Sequence, residues 1–392
     1  MQATRLLLLV TQLERAGAQK VALMQARYFH QRGYKVTLCF FYDKYSLMEE
    51  LSQQEAFSIV DLEAKSPQGS LIFNALCTLR AMWRLYRLLH REQIQVVETL
   101  THYSNILGIV VAWLARVPVR VSSQRNTLSE FPRWFLAIDA GLVNSPLVDK
   151  MVMVSEQTRD FCVNIQRMKS EKLIVIPNGI DLTDFDVTRW SSEDLKMLRE
   201  SLSIPLDAIV LITVGRLHPQ KGHHYLIQAA STILSDYPQA VFLWVGDGGL
   251  RSELNQAIER AGIGGAFRLL GVRCDVPQLL ALSTLFVLPS ISEGMPNVVL
   301  EAMASGLPVV ATAVDGTNSL VVAGQTGLLV PPRDSTELAN AILELLADPE
   351  RLQEMGEKAY ERVRVQFSGE VMCQRYEAAI RTILEDKAIG TE

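Results

Sequence analysis

Cysteine is scarce in this sequence of 392 residues, and its spacing is irregular. The five cysteines form no Cys-x-x-Cys pair and no Cys/His cluster, so the sequence favours neither a disulfide framework nor a zinc site. Aromatic residues are also few, at 7%, but hydrophobic residues reach 48% and charged residues 21%. This composition is that of a globular protein, excludes a disordered chain, and fits a reducing, cytoplasmic compartment.

Long hydrophobic runs are absent as well. The apolar run at residues 6–10 has five residues and the run at 106–115 has ten, whereas a membrane-spanning helix needs about 20. The first run is also too short for the core of a signal peptide. We therefore expect no transmembrane segment and interpret these runs as a buried strand and a core helix.

Acidic residues exceed basic ones, but the excess is uneven along the chain. The net charge is −5, yet residues 1–182 hold 21 Lys and Arg against 16 Asp and Glu, and the remainder holds 17 against 27. The two halves are therefore predicted to meet different partners.

Short apolar runs alternate with longer amphipathic stretches in the first half of the chain. Such alternation predicts parallel strands covered by helices on both faces. The predicted strands are residues 5–10, 35–41, 95–99, 118–123, 151–155 and 173–177. Helices are predicted at 18–31, 71–91 and 105–115.

The alternation restarts after a turn-rich segment near residue 185. The predicted strands of the second half are residues 208–214, 240–245, 267–270, 284–288, 308–312 and 327–330. The sequence thus predicts two doubly wound, Rossmann-like α/β domains, residues 1–185 and 186–368, with a ligand cleft at their strand ends. Residues 369–392 predict a helix that crosses back to the first domain.

The segment Ser-Glu-Gly-Met-Pro-Asn, residues 292–297, follows a predicted strand and opens a predicted helix over 297–305. Pro296 suits the first helical turn. The N–H groups of Asn297, Val298 and Val299 would then form an anion site at the helix N-terminus.

Two glutamates eight positions apart flank this helix start. Glu301 is placed to accept hydrogen bonds from a ribose diol, and Glu293 could reach a second polyol on the far side of a phosphate. The alternative is that Glu293 is a solvated loop residue and Glu301 an exposed helix position.

A second loop, Gly215 to Gly222, follows the first strand of the second half. Its cations Arg216 and Lys221 are suited to clamp a diphosphate, although both could be solvated surface residues. The loop lacks Gly-Lys-Ser/Thr, so a nucleoside triphosphatase is not indicated. A third glycine-rich turn begins at Gly246 after another strand.

Together, Val-Gly-Arg-Leu at 214–217, Lys-Gly at 221–222, Gly-Asp-Gly at 246–248 and Glu-x7-Glu at 293–301 resemble the retaining glycosyltransferases of family four, which have the GT-B fold. The resemblance extends to Ile-Pro-Asn-Gly-Ile-Asp at 176–181 and to Arg-Ala-Gly-Ala-Gln at 15–19. It implies a hexosyltransferase that uses a nucleotide-diphosphate sugar, with the acceptor held by the first domain and no metal or other cofactor.

The family resemblance also implies roles for single residues. Arg216 and Lys221 would hold the diphosphate and stabilise the leaving group, Glu301 would bind the ribose, and Glu293 would touch the transferred sugar. The implied donor site consists of Gly17, Gly215, Arg216, Lys221, Gly246, Val272, Arg273, Glu293, Gly294, Met295, Pro296, Asn297, Val298, Val299 and Glu301. The sequence contains no Asp-x-Asp cluster suited to a divalent ion beside a diphosphate.

Two departures from the family pattern stand in the first half. Ala16 occupies the first of two positions that are usually glycine, and Gly17 the second. In the segment 97–105, many members carry histidines near the reacting sugar, but here Glu98, Leu100 and Tyr103 stand at those places. His102, displaced by one position, is therefore either a catalytic candidate or a surface histidine.

A basic stripe lies on the helix predicted at 71–91. Its cations are Arg80, Arg84, Arg87 and Arg91. A further cation next to an aromatic residue is found outside this helix, at Arg133 and Trp134. Such a stripe predicts either a surface for anionic lipid headgroups or a lipid-phosphate acceptor, on the cytoplasmic face of a membrane. The alternative is a solvated face whose arginines pair with neighbouring acids.

The leading interpretation is a transferase acting on a glycan, lipid-linked or small-molecule acceptor in cell-surface polysaccharide or glycolipid synthesis. A non-catalytic partner subunit that binds a nucleotide sugar is the alternative. A nicotinamide-dependent dehydrogenase is disfavoured because neither half has Gly-x-Gly-x-x-Gly after its first strand. No nucleic-acid partner is expected.

Overall fold

The computed structural model describes residues 3–14, 17–65, 71–125 and 132–389. The chain forms two compact units, one of Met1–Gly179 with Gly369–Glu392 and one of Ile180–Ser368. The second unit is thus inserted into the first. The chain enters it at Ile180, ahead of the predicted boundary at 185, because the Ile180 N–H donates to the Phe367 carbonyl at 2.9 Å and Ile180 pairs with Ser368.

The first unit is built on a parallel sheet of seven strands in the order β3-β2-β1-β4-β5-β6-β7. Its strands are β1 (Arg5–Leu13), β2 (Lys35–Asp43), β3 (Ser58–Asp61), β4 (Val96–Thr99), β5 (Val119–Gln124), β6 (Lys150–Met153) and β7 (Leu173–Val175). Nearly continuous apolar runs such as that of β1 form strands here because helices cover both faces of the sheet.

Seven helices of the described chain belong to this unit. They are α1 (Gly17–Gln31), α2 (Met48–Gln54), α3 (Leu71–Arg91), α4 (His102–Leu114), α5 (Arg133–Asn144), α6 (Glu156–Asn164) and, after the inserted unit, α15 (Gly369–Ile389). The apolar side of α15 places Met372, Tyr376 and Ile380 in the same core as Val21 and Phe29 of α1.

The second unit is built on a parallel sheet of six strands in the order β10-β9-β8-β11-β12-β13. Its strands are β8 (Ile209–Val214), β9 (Ala240–Val245), β10 (Phe267–Gly271), β11 (Leu285–Leu288), β12 (Val309–Thr312) and β13 (Gly327–Val330). The core under one face is filled by Phe242, Trp244 and Leu285 among others.

The helices of this unit cover both faces of its sheet. They are α7 (Ser192–Ser201), α8 (His223–Asp236), α9 (Arg251–Arg260), α10 (Val276–Ala281), α11 (Asn297–Ala304), α12 (Asp315–Leu320), α13 (Ser335–Leu346) and α14 (Pro349–Gln366). Two doubly wound α/β sheets are therefore present, as the sequence predicted.

The edge strand β3 and the preceding helix α2 were not predicted from the sequence. Ser58 is exposed and the rest of β3 only partly buried, because an edge strand has a neighbour on one side only. Its apolar pattern is correspondingly weak. In the part of the chain that the structure describes, none of the helices combines the length and the hydropathy needed to cross a bilayer.

Candidate functional site

The loops that follow the strands of the second unit lie at one edge of its sheet, because all six strands are parallel. The strand order runs outward in opposite directions from β8 and β11, and ligands of doubly wound sheets bind where the order reverses in this way. The loops after β8 and β11 therefore define the candidate site.

These two loops are joined by direct hydrogen bonds. The Ile291 N–H donates to the Gln220 carbonyl at 2.7 Å, and the Gln220 amide Nε2 donates to the Ser292 carbonyl at 2.8 Å. Gly222 has φ +64°, and a Cβ there would lie 2.0 Å from the Pro289 carbonyl oxygen. Only glycine permits this approach, so the two loops form one surface.

An ion pair links the two loops at the centre of that surface. Lys221 Nζ lies 2.5 Å from Glu293 Oε1, and Ser290 Oγ donates to the same oxygen at 2.6 Å. Glu293 is 8% exposed. It is therefore a buried, hydrogen-bonded carboxylate, and its interpretation as a solvated loop residue is wrong.

Arg216, five residues before Lys221, differs from it in having an exposed side chain. No described residue accepts a hydrogen bond or forms an ion pair with its guanidinium. Its backbone neighbour Gly215 is packed against Gly246, whose φ is +133° and whose Cβ would lie 2.0 Å from the Gly215 carbonyl oxygen. The backbone of Arg216 thus belongs to a tightly packed turn, and its exposed guanidinium is available to an anion.

Helix α11 carries the second glutamate. Glu301 is 4% exposed, so its interpretation as an exposed helix position is also wrong. Helix α11 begins at Asn297, the predicted start, and Pro296 is its N-cap residue, directly before the first helical turn. The Val299 N–H donates to the Pro296 carbonyl at 3.0 Å, which corrects the expectation that it is free to bind an anion. Val298 is partly exposed on the first turn.

Gly316, which was not predicted as a site residue, supports the loop before α11 by contacting its backbone. Its N–H donates to the Glu293 carbonyl at 3.3 Å. A Cβ on Gly316 would lie 2.5 Å from the Gly294 carbonyl oxygen and 2.8 Å from Pro296 Cδ. The available signal was an Asp-Gly pair between a strand and a helix. The buried Met295 lies in the loop so supported.

The loop after β10 lies beside the Gly246 turn, because the Gly246 N–H donates to the Gly271 carbonyl at 2.7 Å. Val272 is 81% exposed. Arg273 donates to both carboxylate oxygens of Asp275, at 2.8 and 2.6 Å, and these bonds hold the pKa of Asp275 below its usual range. An exposed apolar side chain next to a fixed guanidinium is compatible with the predicted contact to a nucleotide base.

The predicted site residues of the first unit lie on its own sheet edge. Gly17 begins α1 and is exposed, whereas Arg15 and Ala16 lie outside the described residues. His102 is the first residue of α4, and its ring centroid is 4.3 Å from that of Phe135. Burial lowers the pKa of His102 to about 4, so its imidazole is neutral near pH 7.

The arginines of α3 divide into two groups. Arg84 pairs with Glu63 at 2.7 Å and Arg91 with Glu92 at 2.8 Å, as expected for a solvated face. Arg80 and Arg87 are exposed among apolar side chains. We call this surface the α3 outer face; it consists of Phe73, Leu76, Leu79, Arg80, Trp83, Tyr86 and Arg87.

The α3 outer face is unusual because its exposed side chains are large and apolar. Trp83 is 56% exposed, with the Arg87 guanidinium 4.8 Å from its ring centroid. On α5, Trp134 is exposed, while the side chain of Arg133 lies outside what the structure describes. The first unit thus presents an apolar and basic surface.

Glu98, at a position where family members carry a histidine, lies inside β4 and is completely buried. Its Oε1 accepts from Gln25 Nε2 at 3.2 Å. Burial raises the pKa of Glu98 to about 7, and nearby Arg125 offsets this only in part. The folded protein therefore favours the protonated form of Glu98.

A pH dependence of stability follows from this burial. A buried carboxyl with a raised pKa destabilises the fold when it ionises. This loss of stability is absent below pH 4.5, the ordinary pKa of the group, grows as the pH rises to the folded-state pKa of about 7, and is complete above it. This interval corresponds to ~3 kcal/mol at 1.36 kcal/mol per pKa unit. Glu98→Gln should therefore raise the melting temperature at pH 8 by roughly 6–12 °C and change it little at pH 4.

Calorimetry of both proteins across this range measures the effect. Asp139 is also buried with a pKa raised to about 6, but it is present in both proteins and cancels. Glu92→Gln, which alters a surface carboxylate, is the control. The prediction is contradicted if the melting temperatures of Glu98→Gln and the unsubstituted protein differ by the same amount at pH 4 and at pH 8.

Two parallel, doubly wound sheets, the second with cationic and glycine-rich loops at its carboxyl edge, form the architecture expected of glycosyltransferases with the GT-B fold. Residues 15–184 match Glycosyltransferase Family 4 and residues 196–362 match Glycosyl transferases group 1. The chain belongs to this family, which confirms the resemblance found in the sequence.

Relatives and solved structures support this assignment. The UDP-Gal:alpha-D-GlcNAc-diphosphoundecaprenol alpha-1,3-galactosyltransferase of Escherichia coli is 32% identical over 282 residues, covering 69% of this chain and 71% of that protein. Anabaena Alr3699/HepE, solved with UDP and glucose, has a TM-score of 0.84 at 25% identity, with 97% and 100% of the two chains covered. WaaG, a glycosyltransferase of lipopolysaccharide biosynthesis, shares the fold with a TM-score of 0.73 at 16% identity, with 94% and 98% covered.

Proposed function

We propose that this protein is a retaining, metal-independent glycosyltransferase that moves a sugar from a UDP-sugar to a glycan or glycolipid acceptor in cell-surface polysaccharide or glycolipid synthesis. The observation that carries the proposal is the pair of joined loops, with exposed Arg216 beside the buried ion pair of Lys221 and Glu293. Two cations next to a buried carboxylate suit a diphosphate bonded to a sugar.

The chemistry of this site is leaving-group stabilisation. Negative charge develops on the diphosphate as the bond to the sugar breaks, and adjacent cations lower the barrier by stabilising that charge. Arg216 offers a two-pronged donor and Lys221 a point charge. The ion pair to Glu293 holds the Lys221 ammonium in position before the donor binds.

The placing of Glu293 supports retention by attack from the side of the leaving group. Its Oε1 already accepts from Lys221 and Ser290, so this oxygen is a weak nucleophile and the carboxylate is better suited to bind sugar hydroxyls. Glu301, buried one turn into α11, would hold the ribose. Val272, Arg273 and Gly246 would line the base, and Gly17 is a further proposed donor-binding residue.

The proposal of UDP rests on the named relatives. The Escherichia coli enzyme uses UDP-Gal and a GlcNAc-diphosphoundecaprenol acceptor, and Alr3699/HepE binds UDP. Comparable chemistry in this chain would place a UDP-sugar in the second unit and a sugar acceptor against the first. His102, neutral near pH 7, would serve there as a hydrogen-bond partner of the reacting sugar.

The test is thermal melting with a panel of UDP-, GDP- and ADP-sugars in EDTA. A ligand that binds only the folded state stabilises it and so raises the melting temperature. At a ligand concentration of 100 times the Kd the gain in stability is ~2.7 kcal/mol. We expect UDP-sugars, and not GDP- or ADP-sugars, to raise the melting temperature. We also expect UDP to be released when an acceptor is added. A shift without transfer to any acceptor would favour the non-catalytic partner subunit, and no shift would reject the donor site.

The α3 outer face supports a further part of the proposal, peripheral binding to the cytoplasmic face of a membrane. Its apolar side chains can enter the headgroup region while Arg80 and Arg87 meet anionic lipids. We expect the protein to sediment with anionic vesicles at low salt and to release at high salt. Removing both arginines should lower partitioning about 30-fold, at ~1 kcal/mol for each.

Sedimentation of Arg80→Ala/Arg87→Ala with phosphatidylglycerol vesicles measures this effect. The matched control is Arg84→Ala/Arg91→Ala, because these arginines pair with glutamates and contribute less to the surface. Equal loss in both double variants would show that net charge, and not the α3 outer face, controls binding.

A further inference from the structure

A cavity of about 250 Å³ lies at the carboxyl edge of the first sheet. Its walls come from the ends of β1 and β2, from the segment after β3, and from the N-terminal turns of α3 and α4. Its principal lining residues are Thr11, Tyr42, Lys65, Asn74, Tyr103 and Leu107. We call it the Tyr103 pocket. At ~30 Å³ per water, its volume equals about eight waters, enough for one monosaccharide unit.

The inner wall of the Tyr103 pocket is held by hydrogen bonds within the protein. The Thr11 hydroxyl lies 2.7 Å from that of Thr101, and the Tyr42 hydroxyl donates to Gln12 Oε1. These side chains are therefore fixed before any ligand binds, and the aromatic ring of Tyr42 presents a rigid surface. Preorganised walls of this kind lower the entropic cost of binding.

The mouth of the pocket is chemically different from its wall. Tyr103 is 58% exposed, although it belongs to the first turn of α4. Lys65 is exposed, with its ammonium 5.2 Å from the Tyr42 ring centroid. An aromatic face can cover the apolar face of a pyranose, and an ammonium can pair with a phosphate. The mouth thus combines the two groups that a sugar phosphate requires.

Helix α3 connects the pocket with the α3 outer face. Asn74 lines the pocket, and its neighbours Phe73 and Leu76 are exposed large hydrophobic residues of that face. A ligand whose polar head lay in the pocket could therefore lay an apolar chain along the same helix. An apolar surface next to a sugar-sized polar cavity fits an amphiphile better than a free oligosaccharide.

We propose that the Tyr103 pocket binds the sugar–phosphate head of a lipid-linked acceptor, with the pyranose against Tyr103, the phosphate beside Lys65 and the lipid chain along the α3 outer face. This inference rests on the proposed glycosyltransferase function, whose acceptor it specifies. Tyr103 directly follows His102 at the start of α4.

The experiment measures acceptor binding without donor, so that it does not depend on activity. The probe is the dodecyl diphosphate ester of N-acetylglucosamine, titrated calorimetrically into the full-length protein. We expect Tyr103→Ala to weaken its binding at least tenfold and Tyr103→Phe to keep it within threefold. Trp113→Ala, which removes another exposed aromatic residue of α4, is the control and should bind the probe as the unsubstituted protein does.

Three further probes assign the parts of the ligand. We expect the ethyl diphosphate ester of the sugar to bind at least tenfold more weakly than the dodecyl ester. Dodecyl diphosphate, which lacks the sugar, should also bind at least tenfold more weakly than that ester. We expect Lys65→Gln to remove the preference for the diphosphate over a neutral dodecyl glycoside.

The proposal is overturned if the dodecyl probe does not bind, if Tyr103→Ala binds it normally, or if dodecyl diphosphate alone binds equally well. Failure of the proposed function is seen separately, as the absence of a melting shift with UDP-sugars. A protein that binds UDP-sugars but not the dodecyl probe would keep its donor site and lose this acceptor assignment.

Discussion

Arg216→Ala is expected to lower kcat for sugar transfer by about 100- to 1000-fold, the range found when one fixed donor to a developing negative charge is removed. The guanidinium has no partner among the described residues, so its removal leaves no buried group unsatisfied. Its loss should therefore leave the melting temperature of the free protein nearly unchanged. Folding and catalysis are thus separable at this residue.

Steady-state kinetics with saturating UDP-sugar measures this effect. The control is Arg364→Ala, which removes an exposed arginine of the same unit that pairs with Glu361 on α14. A kcat within threefold of the unsubstituted value for Arg216→Ala would show that the guanidinium does not stabilise the departing diphosphate. A lower melting temperature would instead assign Arg216 a structural role.

Gly316→Ala is expected to lower kcat/KM about 100-fold although Gly316 contacts the donor loop only from behind. The added Cβ would lie 2.5 Å from the Gly294 carbonyl oxygen, well inside van der Waals contact, so the backbone of residues 293–296 must move. A displacement of ~1 Å at reacting groups can cost about 100-fold in rate. Glu293 and Pro296 are both in the displaced segment.

Melting with UDP-sugars and steady-state kinetics together test this expectation. In Gly265→Ala, the new methyl group meets no atom within 4 Å, so it controls for the general effect of replacing glycine on this unit. Normal donor affinity and normal kinetics in Gly316→Ala would mean that the loop tolerates the methyl group and that its position is not critical.

The strands were predictable because parallel strands buried on both faces form apolar runs that end abruptly. β3 was missed because only two apolar residues stand between the polar Ser58 and Asp61 at its ends, and because it lies at the edge of the sheet. The charged loops were recognisable from Arg216 and Lys221. The pairing of Lys221 with Glu293 was not predictable, because it joins residues 72 positions apart and depends on β8 lying next to β11.

Burial explains the other differences at the site. Helical spacing alone gives no indication that Glu301 is enclosed, since its surroundings come from elements distant in the sequence. The role of Gly316 was hidden for the same reason, because only the packing of α12 against the loop reveals it. Arg84 shows the converse case, where a residue of an apparent stripe is engaged by Glu63 from a neighbouring segment.

The order in which α15 is translated affects how a nascent chain can fold. Met372, Tyr376 and Ile380 complete the core that β1 and α1 begin, yet a ribosome makes them only after all of Ile180–Ser368. The inserted unit can fold as soon as it emerges, whereas the first unit must wait with an uncovered apolar face. That interval, about 190 residues of synthesis, lasts roughly 10–40 s at 5–20 residues per second, and chaperones would find their binding surface on α1 during it.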